Sequence, residues 1–443
     1  MTVTVIKKPL SIRLLKKRLT IPTVVLTVLA LFLSLPALSV TARAGFDNFV
    51  YKNNYISGQF TDVSDTDWYA RYVEDAYNFG FLRGKSETIF DPAGNLTLGE
   101  AVTLAARLMS LYNTGKTIFP ESVPYYAAYA NYALEHGIID KHMEYTATAT
   151  RAQLVKLFYR VFPPEAFPEI NKIADYGICD VTPDSDCGKA VYAFYRAGIL
   201  TGSDRYGTFF SDSQITRAET CALMVRLADP AFRVATVLPS RLPAEVIYER
   251  SVDAIFMLEM FDAKGVSIRT GSGFFITETG LAVTNLHVIE NAASATITLQ
   301  NGEVYPVKGA VATSEEFNLV ILSVDSEKGG WSYLNLADSD LVAVGSIVYC
   351  IGSPRSLLNA MTEGVISKTL REVSDDTLIQ FTAPISFGSG GSPVLNTLGH
   401  VVGLASSSYT YGQNLNLAVP VNHLKTMEPG PCISLEELLR KTP

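Results

Sequence analysis

The chain changes its hydrophobic rhythm twice. An almost unbroken apolar run from Ile21 to Val40 follows a basic stretch containing Lys7, Lys8, Arg13, Lys16, Lys17 and Arg18. From residue 60 to residue 230, apolar residues recur at i, i+3, i+4 and i+7, the spacing of helices with one buried face. Beyond residue 244 that period stops. Short alternating or continuous runs rich in β-branched residues take over, such as "GSGFFIT", "ATITLQNGEVYPV" and "GSIVYCIG", separated by Gly, Asn and Asp. Such runs predict strands, and Asn301-Gly302 between two of them predicts a two-residue hairpin turn.

The helical half repeats itself. "FTDVSDTDWYARYVEDAYNFGFLRG" at 60–84 matches "ICDVTPDSDCGKAVYAFYRAGILTG" at 178–202 without a gap, and "YYAAYANYALEHGIID" sets Gly137 in register with Gly80 and Gly198. A second helix follows each glycine after a variable loop, beginning "LTLGEA", "TATRAQ" and "ITRAET". Thr97, Thr150 and Thr216 are equivalent in these, and a Thr followed three residues later by Glu or Gln is a capping-box signature. The stripes are Val102, Ala105, Ala106, Met109; Val155, Phe158, Tyr159, Phe162; and Cys221, Met224, Val225, Ala228. One helix pair cannot bury its own stripe, so the three copies should pack as one unit.

The predicted organisation is a segment 1–44, a leader 45–59, three helical repeats over 60–230 (60–112, 124–164 and 174–230), a linker 231–243, a β-rich domain 244–427 and a tail 428–443. Residues 1–44 have the basic, apolar and small-x-small (Ala42-Arg43-Ala44) parts of a signal peptide. The apolar run is also nearly long enough to span a bilayer, so an uncleaved anchor stays open, with Pro36 favouring cleavage. Either way the remainder lies outside the cytoplasm.

Charge and cysteine content narrow the picture. A net charge of −8 and an isoelectric point near 5.3 argue against a nucleic-acid partner, which needs a concentrated basic surface. Five cysteines in an exported chain cannot all pair with one another. Cys179 and Cys187 bracket a short polar loop, so either a local disulfide or two free thiols would fit; Cys221 and Cys350 read as buried thiols, and Cys432 is unassigned. No Cys or His cluster has metal spacing, and no cofactor motif is present.

The Asp-Val openings at 62–63 and 180–181, the helix ends in Gly-Ile or Gly-Phe, and the Thr-Arg-Ala-Glu helix start resemble the S-layer homology (SLH) domain, over residues 60 to 230. Domains of this kind occur as triplets and hold exported proteins to negatively charged secondary polymers of the cell wall. The resemblance implies wall-polymer binding by Arg151 and Arg217, each at a helix N-terminus where a bidentate donor meets the positive end of the dipole. The bland alternative for both is a surface ion pair. Copy one has Leu98-Gly99 where Arg-Ala would stand, which points to a structural role only.

The second half resembles the trypsin-like peptidases, most closely the HtrA (Deg) branch. "TGSGFFITETGLAVTNLHVIENA" at 270–292 carries a Gly-Ser-Gly strand and a Thr-Asn-x-His-Val signature, which puts His287 in the place of the general base. "NLVILSV", "PISFGSGGSPVLNTLGHVVGL" (384–404) and "LNLAVPVN" (415–422) follow in family order. The fold class implied is multidomain: an all-α SLH-type repeat unit, then an all-β trypsin-like double β-barrel.

The chemistry departs from the family pattern. A serine hydroxyl needs an imidazole to take its proton, and the imidazole needs a carboxylate to fix its tautomer. The acid position is Asn318; an amide there costs about four decades in rate in a serine peptidase. Asp325 is about 23 Å further along the strand, which leaves Glu315 and Glu316 as local substitutes. Read without gaps, the family's serine falls on Gly390; with one inserted residue it falls on Ser389, with amides of Gly388 and Ser389 as the oxyanion hole. Ser389 and Ser392 also have a bland reading as turn residues, and His287 as a residual barrel histidine.

Two functions follow from these resemblances. One is an exported, wall-attached serine endopeptidase of low activity, with His287 as base, Asn318 or Glu316 orienting it, Ser389 as nucleophile, and a substrate pocket beside "GLASSSYTYG" (403–412). The other is a pseudopeptidase that binds peptides or partner proteins in the same cleft. The partners implied are a wall polymer and a protein or peptide; a membrane enters only through residues 1–44.

Overall fold

The computed structural model describes residues 44–324, 329–373, 376–408 and 415–441. Residues 1–44, expected to be a signal peptide or an anchor, therefore lie outside the described residues except for Ala44. Among those described, no helix is long and apolar enough to cross a membrane.

Three helix pairs form the first half: α1 Ala70–Asn78 with α2 Leu98–Thr114, α3 Ala127–Glu135 with α4 Arg151–Tyr159, and α5 Gly188–Arg196 with α6 Arg217–Ala228. The first helix of each pair stops at a left-handed glycine, Gly80, Gly137 or Gly198, with φ between +70° and +73°. The second begins with a complete capping box on Thr97, Thr150 or Thr216, closed by Glu100, Gln153 and Glu219. Every residue of the three predicted stripes is buried except Tyr159, which packs partly buried against the same core.

The pairs close into a ring. Leu96 N–H donates to Ile215 O (3.3 Å), Ile215 N–H to Ala149 O (3.2 Å), and Ala149 N–H to Leu96 O (2.8 Å). Beside this triangle the first two amides of each second helix donate to the next pair's loop: Leu98 and Gly99 to Ala147 O and Tyr145 O, Arg151 and Ala152 to Ser213 O and Ser211 O, Arg217 and Ala218 to Gly94 O and Pro92 O. Orphan amides of one helix start are thus satisfied by its neighbour.

The segments expected to be peripheral are built in. The leader lays Phe49 into the helical core, and Lys52 and Asn53 donate to Asn78 O. In the expected linker, Val234 N–H donates to Gly198 O and Leu242 is buried. The expected tail adds a pairing of Ile433 with Ala310 and a helix Leu435–Lys441 whose Leu435 joins the first barrel's core.

The second half is two closed six-stranded barrels. The first runs β1 Ile255–Phe261, β2 Ser267–Phe275, β3 Leu281–Asn285, β4 Ser294–Thr298, β5 Val304–Ser314 and β6 Leu319–Val324, in spatial order β1-β2-β3-β6-β5-β4. The second runs β7 Ile347–Gly352, β8 Ala360–Val373, β9 Asp376–Phe381, β10 Pro393–Leu395, β11 Val401–Ser408 and β12 Asn416–Pro420, closing as β7-β8-β9-β12-β11-β10. Closure gives every strand a neighbour on both sides, and Ile433 pairs with Ala310 where β5 runs on past its pairing with β4. Asn301-Gly302 does lie between paired strands, but Thr298 pairs with Val304, so the connection is five residues long. Its turn is closed by Gly302 N–H to Leu299 O, with Gly302 left-handed.

The helical unit docks on the peptidase-like half. Arg250, on α7 Ala244–Ser251, pairs with Asp204 (3.0 Å) and Lys425 with Asp184 (2.7 Å). Cys179 and Cys187 form no disulfide: the Cys179 sulfur lies 3.1 Å from Arg250 Nη1, and that of Cys187 3.7 Å from Ser211 Oγ. Cys221 and Cys350 are free and fully enclosed, and burial pushes both thiols up to about 12.

Candidate functional site

Three short segments meet between the barrels. The strand β3 ends at Asn285 and delivers His287 on a single helical turn, Leu286–Ile289. Asn318 stands just before β6, and the turn 388–391 precedes β10. Asn285 ties all three together. Its Oδ1 accepts from Gly391 N–H (2.8 Å) and its Nδ2 donates to Asn318 O (3.2 Å), with the side chain buried. Ser272 on β2 clamps the same turn, its Oγ donating to Gly388 O (2.8 Å) and its N–H to Gly390 O (2.9 Å). The sequence reading gave neither residue a role, although the signal was present in the Gly-Ser-Gly and Thr-Asn-x-His motifs that contain them.

Asn318 sits in the left-handed region, φ +53°, which asparagine tolerates better than most residues. There its Oδ1 accepts from the His287 backbone N–H (2.9 Å), and its Nδ2 comes 2.8 Å from His287 Nδ1, against 3.2 Å for Oδ1. The NH2 group is the nearer of the two, and in that contact the amide donates to Nδ1. The ring proton therefore belongs on Nε2. Glu315 and Glu316 are exposed and do not substitute: Glu315 touches this turn only through its carbonyl, which accepts from Asn318 N–H.

The far side of the ring faces Gly390. A Cβ built on Gly390 would lie 3.4 Å from His287 Nε2 and 3.2 Å from Val288 Cγ2. Position 390 is where a side chain would meet the imidazole, and it has none. Ser389, the expected nucleophile, is buried, and its Oγ accepts from Ser386 N–H (3.2 Å). Ser392 is fully buried beside Gly352 and Ser272. The expected oxyanion pair also changes. The Ser389 amide donates to Ser386 O (2.9 Å), whereas the amides of Gly388 and Gly390 make no hydrogen bond among the described residues. The expected substrate pocket beside 403–412 falls partly outside the described residues, from residue 409 onward. Among the described residues no group of three His, Cys, Asp or Glu could hold a metal ion.

The two arginines expected to hold wall polymer are buried at helix starts. Arg217 donates from Nε to Phe90 O (3.0 Å) and from Nη2 to Arg83 O (2.7 Å), over the Phe90 ring. Arg151 donates from Nε to Phe209 O (2.7 Å) and pairs with Glu219 (2.6 Å). Neither is a loose surface ion pair. Arg151 also lines a groove of about 430 Å³ with Trp68, Ser203, Glu219 and Arg226, whereas Arg217 does not.

Comparison with known proteins matches residues 271–404 to the trypsin-like peptidase domain and residues 59–102 to the S-layer homology domain. A probable periplasmic serine endoprotease, DegP-like, of Rhizobium meliloti is 34 % identical over 155 residues, covering 34 % of this chain and 30 % of its own length. Serine protease HTRA1B of Danio rerio is 30 % identical over 190 residues (40 % and 39 % of the two chains), and human serine protease HTRA3 is 26 % identical over 257 residues (54 % and 55 %). This chain thus spans between 30 % and 55 % of the length of these relatives. Among solved structures, the serine endoprotease from Yersinia pestis is 23 % identical with a TM-score of 0.38, covering 46 % of this chain and 69 % of that one. The HtrA-type protease AlgW with tripeptide has the same identity and TM-score, covering 41 % and 61 %. The chain joins an S-layer homology domain to a trypsin-like peptidase domain, and the curated relatives of the latter are HtrA- and DegP-type serine proteases.

Proposed function

We propose that this is a surface-anchored pseudopeptidase: an HtrA-like cleft that binds peptide segments of other exported proteins without cutting them. The observation that carries the reading is the pairing of His287 Nε2 with a glycine, Gly390, at the point where a nucleophile's side chain would stand. Asn318 supports it independently. An amide donating to Nδ1 leaves the proton on Nε2, so the imidazole offers that side a donor and no base. Both preconditions for activating a hydroxyl are missing, while the barrels and the loop clamps that shape the cleft are kept.

The experiment is reconstruction. Fluorophosphonate labelling of the folded chain should give no adduct on Ser389 or Ser392. Gly390→Ser combined with Asn318→Asp should label at position 390 and hydrolyse unfolded casein. Gly390→Ser alone should be slower by about four decades, the cost of the wrong tautomer. An adduct on Ser389 in the unaltered chain, lost in His287→Ala, would sink the reading and restore the endopeptidase.

For the helical half we propose an exported triplet of SLH repeats that holds the chain to an anionic wall polymer. The groove beside Arg151 supports this, since Arg151, Arg226 and the exposed Trp68 give it two guanidinium groups and an aromatic face. Trp68→Ala with Arg226→Ala should lower sedimentation with purified wall sacculi at least tenfold; equal sedimentation would remove the groove from the binding surface.

A further inference from the structure

We propose that the vacated centre of the cleft is a carboxylate site, and that the peptides it takes are held by their C-terminal carboxylate. This rests on the reading that the cleft binds peptide without cutting it.

Three donors in this small region are not engaged elsewhere. The first is His287 Nε2–H, given its proton by the Asn318 amide at Nδ1 (2.8 Å). The others are the amides of Gly388 and Gly390, which donate to nothing among the described residues while the Ser389 amide between them closes onto Ser386 O. Gly390 puts no side chain beside Nε2, where a Cβ would come within 3.4 Å of the ring nitrogen. In a working serine peptidase this space holds a proton donor that the imidazole accepts from. Here the polarity at Nε2 is reversed, because the imidazole donates, and the two unengaged amides of the adjoining turn are donors as well.

A carboxylate is the complement of such a set. It only accepts, its two oxygens offer about four lone-pair directions, and hydrogen bonds to a charged acceptor are roughly twice as strong as neutral ones. One oxygen would take the turn amides and the other would take Nε2–H. A C-terminal amide would bring its own NH2 against Nε2–H, setting donor against donor. An internal peptide bond would offer a single oxygen and leave the imidazole proton unpaired, which is unfavourable once water is excluded. Arg269 adds positive charge at the rim, its Nη1 donating to the His287 carbonyl (2.6 Å).

The test uses the full chain and two pools of N-acetylated pentapeptides with randomised sequence, one ending in a free carboxylate and the other in an amide. Equilibrium dialysis read by mass spectrometry should show the acid pool held at least tenfold more tightly. His287→Ala should bring the acid pool down to the level of the amide pool, and so should Gly390→Ala, which fills the space with a methyl group. Gly390 lies outside the left-handed region, so alanine is compatible with its backbone and keeps the test open if His287→Ala unfolds. Equal binding of the two pools would overturn the carboxylate site and leave peptide binding standing. Binding of neither pool would overturn both. A preference that survives both substitutions would place any carboxylate site elsewhere.

Discussion

The imidazole of His287 takes its proton position from Asn318, and an amide has two ways to meet it. Its oxygen can accept from Nδ1–H as an aspartate does, or its NH2 group can donate to Nδ1. Oδ1 accepts from the His287 backbone N–H at 2.9 Å and lies 3.2 Å from Nδ1, while the NH2 group is nearer at 2.8 Å and takes the ring contact. Nitrogen-15 NMR of histidine-labelled chain should therefore show His287 protonated on Nε2, with Asn318→Asp moving the proton to Nδ1. A wild-type ring protonated on Nδ1 would remove the physical basis of the donor reading. Asn318 and Gly390 were both legible in the sequence as departures from a pattern. Whether Ser389 could step in was not, because a one-residue shift in a Gly-Ser turn leaves the letters nearly unchanged. Only the direction of the 390 Cα–Cβ vector and the inward bond of the Ser389 hydroxyl separate the two registers.

The helix pairs were legible as elements because their period, their left-handed glycines and their Thr caps are local signals. The work of the motif residues between those elements was not. Asp62 accepts from the amides of Phe90 and Asp91, and Asp180 from those of Phe209 and Phe210, so each Asp-Val opening fixes a loop whose second residue is left-handed. The next pair in the ring then sends an arginine to the same loop, Arg217 to Phe90 O and Arg151 to Phe209 O. The two absences in the sequence match each other. The middle copy has Phe119 in the register of Asp62 and Asp180, and the helix start facing it carries Leu98 in place of arginine. Gly99 fits the same account, since a Cβ there would lie 2.9 Å from the Tyr126 ring. Arg217→Met keeps the apolar stem and leaves Phe90 O and Arg83 O without their donor. Urea unfolding should report a loss of about 1–3 kcal/mol, chiefly from the buried Phe90 carbonyl left unpaired. A loss below about 0.5 kcal/mol, the size of an ordinary surface change, would return Arg217 to the surface-ligand role the motif first suggested.

At the scale of the molecule, the two halves meet through contacts that no local pattern announces. One of them predicts a pH dependence. His400, in the turn before β11, is fully buried, and its Nε2 donates to the carbonyl of Cys179 in the helical unit (3.0 Å). Its Nδ1 has no partner, so a second proton would be buried without an acceptor. Burial lowers the ring to about 4 from the usual 6.5, against an opposing pull from the Cys179 and Ile178 carbonyls. Between those two values the unfolded chain binds the proton and the folded chain does not, so stability is complete above pH 6.5 and falls as the pH drops towards 4. In the limit the loss is about 3 kcal/mol, at about 1.4 kcal/mol per unit. His400→Gln keeps a donor for the Cys179 carbonyl and removes the titration. Unfolding curves from pH 7.5 to pH 4 should therefore diverge, with the wild type losing stability faster than the variant below pH 6.5. Parallel curves would mean that His400 is protonated in the folded state, and that the contact between the halves tolerates the charge.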